Sequence, residues 1–177
     1  MIKGKIYLTQ VQKEMAVKIG RARCAAKPKS VRYNDSGFHN YNSDRSYPHV
    51  LGAACEVIYS YISKIPMDER IMEHGDEVDF NGVEIKGSTW IGDDIELKIK
   101  KSEYFRKIPS AYNLCRVDKK LEWVEFIGCI SRKRFDIIKK SKKHKFVENW
   151  VVEAKDLKKS IIKIEDGKIR FCSLMPK

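Results

Sequence analysis

The sequence predicts a single α/β (α+β) domain with a mixed central sheet flanked by helices. Three observations carry this. Two segments of helical period come first, a run of short strand-like segments follows from residue 78 to 130, and further helical and strand-like stretches close the chain. At 177 residues the chain is long enough for one proper core and short for two.

The first helix is expected over residues 9 to 27. Thr9 with Gln12 forms a capping box, and Val11, Met15, Ala16, Ile19 and Ala22 or Arg23 recur at helical spacing, with Pro28 beyond the end. Its other face carries Lys13, Lys18, Arg21 and Lys27. A long polar loop follows, residues 29 to 49, in which Tyr33, Phe38, Tyr41 and Tyr47 interleave with Arg32 and Arg45. Such a loop either stacks on bases and grips a phosphate backbone, or packs its aromatics on its own domain as an Ω-loop. The second helix is expected over Pro48 to Lys64, with Val50, Ala54, Val57, Ile58, Tyr61 and Ile62 toward the core and Pro in the first turn. Glu56 falls on the neighbouring stripe among small residues, where a carboxylate is costly unless it is paired or metal-bound.

Residues 65 to 76 read as a short helical turn. Glu77 to Gly87, EVDFNGVEIKG, then reads as two short strands joined at Asn81-Gly82, the dipeptide a two-residue type I′ turn prefers. Residues 87 to 94 form a turn around Trp90. Ile95, Leu97 and Ile99 alternate with Glu96, Lys98 and Lys100 as an amphipathic strand, and further strands are expected at Ala111 to Val117 and Leu121 to Ile130, the latter central because its apolar run is more continuous. Ser131 caps a basic segment, Arg132 to Lys145, whose Arg132, Lys133 and Arg134 are candidates for phosphate contact. WVVEA around Trp150, a helical DLKKS and a small hairpin on Asp166-Gly167 complete the chain.

The Asn81-Gly82 turn sets a register with chemical content. Phe80 faces Val83, Asp79 faces Glu84 and Val78 faces Ile85, so one face is apolar and the other gathers Asp79, Glu84 and Lys86. Opposed Cβ atoms lie roughly 4.5 to 5.5 Å apart, and two carboxylates that close repel unless a cation sits between them. Mg²⁺ is commonly held by one or two carboxylates plus water and phosphate oxygens. Lys86 is placed to hold or polarise a metal-bound water.

Asp79 followed by Glu84-Ile85-Lys86 resembles the D…ExK core of the PD-(D/E)xK nuclease superfamily, over roughly residues 47 to 135. No Pro precedes Asp79 and its spacing to Glu84 is short, so Asp76 or Glu77 stands as the alternative partner of Glu84. The resemblance implies a restriction-endonuclease-like fold and a metal site at Asp79 and Glu84, binding Mg²⁺ or Mn²⁺. Glu56 on the preceding helix would complete that site, and Lys86 would act on the attacking water. On this reading residues 1 to 46 are an N-terminal helix and a basic, aromatic loop, and residues 136 to 177 a C-terminal extension.

Composition narrows the partner. Thirty-six Lys and Arg against 24 Asp and Glu leave a formal net charge of +12, which favours a polyanion through counterion release. The five cysteines are widely spaced with no CxxC pair, which suggests reduced, buried thiols. Neither a membrane-length apolar run nor a signal-peptide core is present, so the expected location is the cytoplasm. No P-loop, dinucleotide, GxSxG, HExxH or EF-hand pattern occurs. The expected function is therefore a metal-dependent DNA endonuclease or nickase, monomeric or homodimeric, of a kind suited to a phage or mobile element. DNA is preferred over RNA as substrate, and the alternative is a non-catalytic nucleic-acid-binding module.

Overall fold

The computed structural model of the chain describes residues 4–26, 44–67, 78–80, 82–144, 147–158, 161–165 and 168–172. Arg32, Asp76, Glu77 and Asn81, most of the aromatic loop, most of the 65 to 76 segment and the Asp166-Gly167 turn lie outside them. The architecture is mixed α/β. A four-stranded sheet runs in the order β1 (Ile6–Tyr7), β5 (Trp123–Ser131), β4 (Ala111–Val117), β2 (Val83–Ser88). Only β2 and β4 pair in parallel; β4 with β5 and β5 with β1 are antiparallel.

One face of this sheet carries α1 (Gln10–Ala26) and α2 (Tyr47–Ser63). The capping box forms as its residue types require: Thr9 N–H donates to Gln12 Oε1 at 2.9 Å, and Gln12 N–H to Thr9 Oγ1 at 3.3 Å. The helices cross closely at Gly20, where a Cβ would stand 2.5 Å from the backbone of Val50. Their shared core joins Ala16, Ile19, Ala54 and Ile58 to Phe80, Val83, Ile85, Cys115, Val117, Val124 and Phe126 of the sheet. Tyr61, expected in this core, is exposed, and Tyr59 is buried in its place against Phe80 with ring centroids 4.7 Å apart.

A second core lies on the other face. The expected strand at 95 to 99 forms as β3 (Glu96–Lys100), but it joins a separate sheet, order β3-β7-β6, with β7 (Val147–Glu153) between β3 and β6 (Lys140–His144). With α3 (Lys101–Arg106) and α4 (Arg132–Ile138), this sheet buries Leu97, Ile99, Tyr104, Phe135, Val152 and Leu157 against Tyr112, Leu114 and Ile130. Residues beyond 135 thus contribute to the same core as β4. Ser131 caps α4 by accepting from Arg134 N–H. Among the described residues of DLKKS the expected helix does not form: residues 154–156 make a 3₁₀ turn, and Lys158 pairs with the backbone of Cys129. β8 (Ile161–Glu165) and β9 (Lys168–Cys172) pair as a hairpin across residues 166 and 167.

A bulge lets one alternating strand serve both cores. Leu114 pairs with Gly128 but Cys115 pairs with Phe126, leaving Ile127 as the extra residue. Before it, Val124 and Phe126 face the helices; after it, Ile130 faces the second sheet. β5 is accordingly buried only at every second residue. It lies between β1 and β4, the central place its apolar run predicts, although β4 rather than β5 is the strand buried on both faces, from Tyr112 to Cys115. Among the described residues no helix is long and apolar enough to cross a membrane.

Candidate active site

The expected turn forms in part. Gly82 has φ +84°, and Phe80 and Val83 form an antiparallel pair in which each backbone N–H donates to the other's carbonyl. Beyond that pair the ladder does not continue with backbone groups. Instead the Asp79 carboxylate accepts from Ile85 N–H at 2.8 Å. The physical reason is the sheet order: β2 is an edge strand, so its outward N–H groups need another acceptor, and the side chain of Asp79 supplies it.

Because Val83 and Ile85 face the helices, Glu84 and Lys86 project from the opposite face of β2. Glu84 is 2% exposed. Two residues from the end of the second core meet it there. Lys86 Nζ donates to Glu84 Oε1 at 2.9 Å and also to Glu103 Oε1. Lys107 Nζ donates to the same Glu84 oxygen at 2.8 Å and lies 3.9 Å from Asp79 and 4.0 Å from Glu103. Glu103 and Lys107 were not among the residues picked from sequence. Their only signal is a Glu-to-Lys pair four apart, which is ordinary on any exposed helix.

The electrostatics of this cluster are unbalanced. Three carboxylates, Asp79, Glu84 and Glu103, face two ammonium groups, Lys86 and Lys107. Burial, with the nearby Glu56 charge adding to it, pushes Asp79 up to about 6 against the pull of Lys107, Lys86 and the Ile85 N–H. Burial likewise raises Glu84 above the usual carboxylate range, despite Lys86 and Lys107 beside it. For Lys86 burial works downward, but Glu84, Glu103 and Asp79 together outweigh it and hold the ammonium firmly protonated. Glu84 Oε2 is buried with no hydrogen-bond partner. An orphaned carboxylate oxygen beside a second carboxylate is a donor set that suits a hard divalent cation. Among the described residues no group of three or more His, Cys, Asp and Glu is gathered to hold a metal as it stands; in the cluster the ammonium groups lie between the carboxylates.

Glu56 is close enough for its charge to act on Asp79, but both its oxygens are taken. Arg23 of α1 grips it in a bidentate pair, 2.7 Å at each oxygen. Its expected place as an open ligand is thus occupied by the guanidinium of Arg23.

The expected nucleic-acid residues separate. Arg45, Lys133 and Arg134 are exposed. Arg132 is turned inward: it donates to the carbonyls of Lys107 at 2.9 Å and Tyr104 at 3.1 Å and to Tyr112 Oη at 3.0 Å, and its guanidinium stacks 3.8 Å from the Tyr104 ring. Its work is to fix the backbone from which Lys107 extends. Phe105 and Ile108, either side of Lys107 in sequence, are exposed at 72% and 79%. In comparisons with known proteins, no family model, no curated protein and no solved structure matches the chain.

Proposed function

We propose that the chain is a metal-dependent nuclease of the PD-(D/E)xK type, with a restriction-endonuclease-like core, hydrolysing phosphodiester bonds in DNA. The single observation that carries the reading is Glu84: 2% exposed, one oxygen shared by two lysines and the other without a partner, in a cluster short of one positive charge. A buried anionic oxygen left this way is stabilised by a cation. Asp79 and Glu84 would hold Mg²⁺ or Mn²⁺, which when bound supplies a polarised water and charge neutralisation at phosphorus. Lys86, fixed between Glu84 and Glu103, would orient the attacking water and offset charge developing on the phosphate. The ExK strand has a parallel neighbour and follows a helix bearing a buried Glu56, which accords with the same reading. The excess of 36 basic over 24 acidic residues, with Arg45, Lys133 and Arg134 exposed, suits a polyanionic substrate.

The test is direct. Supercoiled plasmid and labelled single strands are incubated with the protein in Mg²⁺, Mn²⁺ or EDTA. Nicking or linearisation that needs the metal is expected, and Lys86→Ala should abolish it while DNA retention stays nearly intact. The ion pairs that already occupy Glu84 favour the second reading, a nucleic-acid-binding module without cleavage. Retention of DNA with no metal-dependent cutting would select it.

A further inference from the structure

Asp79 and Glu84, the two carboxylates proposed to hold the metal, already share a positive charge. Lys107 Nζ stands within 4.0 Å of three carboxylates, 2.8 Å from Glu84, 3.9 Å from Asp79 and 4.0 Å from Glu103. No other ammonium among the described residues reaches all three of them. We infer that Lys107 is an exchangeable resident cation: it holds the metal position in the metal-free protein, leaves when the metal enters, and then serves as the counterion of the phosphodiester. This rests on the nuclease reading for its last step only.

Charge balance sets the sequence of states. With Lys107 in place and all three carboxyls ionised, the two ammonium groups leave one negative charge uncompensated. A divalent cation in its stead, with Lys86 retained, brings the cluster to neutrality. Lys107 and the single negative charge of a phosphodiester then balance each other. Its geometry suits a side chain that moves on a backbone that does not. The Lys107 N–H donates to Glu103 carbonyl at 2.9 Å and its carbonyl accepts from Arg132, so both backbone groups are tied while the four-carbon stem can rotate. Lys86 donates hydrogen bonds to Glu84 and Glu103 at once, whereas Lys107 donates one to Glu84 and reaches Asp79 and Glu103 only at 3.9 and 4.0 Å.

Two measurements test the exchange without using cleavage. On the native chain, limiting acylation of lysine amines is read peptide by peptide by mass spectrometry, in Mg²⁺ and in EDTA. Lys107 should label severalfold faster in Mg²⁺, while unchanged or slower labelling overturns the inference. Mn²⁺ affinity is then measured by calorimetry for the native protein, Lys107→Met and Lys107→Arg, with folding checked by circular dichroism. Removing a competing charge at this distance should tighten Mn²⁺ about tenfold in Lys107→Met, and Lys107→Arg should bind no tighter than the native chain. Equal or weaker binding by a folded Lys107→Met, or no Mn²⁺ binding by either protein, overturns it as well. If the exchange holds and DNA is still not cut, the proposed nuclease function fails alone.

Discussion

Two buried glutamates, about 30 residues apart in sequence, meet the same physical problem in opposite ways. Glu56 is 5% exposed and Glu84 is 2% exposed, and each has left water at a cost of several kcal/mol. Glu56 recovers that cost inside the chain, since Arg23 satisfies both its oxygens in a planar fork. Glu84 does not. Two lysines crowd one of its oxygens and the other accepts no hydrogen bond. The lesson is that two carboxylates buried alike can differ in how far the chain meets their hydrogen bonding. Glu56 is satisfied at both oxygens, and Glu84 keeps one buried oxygen that accepts no hydrogen bond.

The sharpest way to break this contrast is to neutralise each glutamate in turn. Glu56→Gln removes the charge of the carboxylate that Arg23, about a quarter exposed, grips at both oxygens. Breaking a buried pair costs ~3–5 kcal/mol, so after discounting for that exposure a loss of roughly 3 kcal/mol is expected in urea unfolding. Glu84→Gln removes a charge that burial already disfavours, and the metal-free protein should hold its stability or gain slightly. Equal losses in the two variants would erase the distinction. A gentler test acts on the approach of α1 to α2. Gly20→Ala sets a Cβ 2.5 Å from Val50 backbone, one turn before Arg23, and should destabilise by about 2 kcal/mol through overpacking, read as a lower thermal midpoint. No change would mean that the grip of Arg23 on Glu56 does not depend on that close crossing.

The smallest expected effect concerns pH. The carboxyl of Asp79 is raised from 3.8 to about 6 in the fold, so its contribution to stability is fully present below about pH 4 and is lost as pH rises through about 6. Asp79→Asn, which can still accept from Ile85 N–H, should therefore be more stable than the native chain at pH 8, by roughly 1–2 kcal/mol after allowing for partial solvent screening. The gap should close as pH falls to 4. Thermal melts across that range measure it, and a gap independent of pH would remove the electrostatic strain assigned to Asp79.

Local signals carried much of this far. Thr9 and Gln12 placed the start of α1, Pro48 marked the first turn of α2, and the alternation at 95 to 99 marked β3 to within a residue. The Asn81-Gly82 dipeptide led to the Phe80–Val83 pair and the left-handed Gly82. Other features left no such mark. β1 is two residues long, too short to show a period. The bulge at Ile127 reverses the faces of a strand whose apolar pattern never changes phase.

What the amino-acid order determined by itself is what neighbours within a few residues can settle: helix limits, turn chemistry, and Glu84 and Lys86 on one side of a strand. Which groups meet those side chains was decided only by tertiary structure. Glu103 and Lys107 arrive from a helix beyond an intervening strand of another sheet, and Arg23 reaches Glu56 across 33 positions. Hydrogen bonding and charge act over a few ångströms of space, and the folded chain alone determines which residues come within that range.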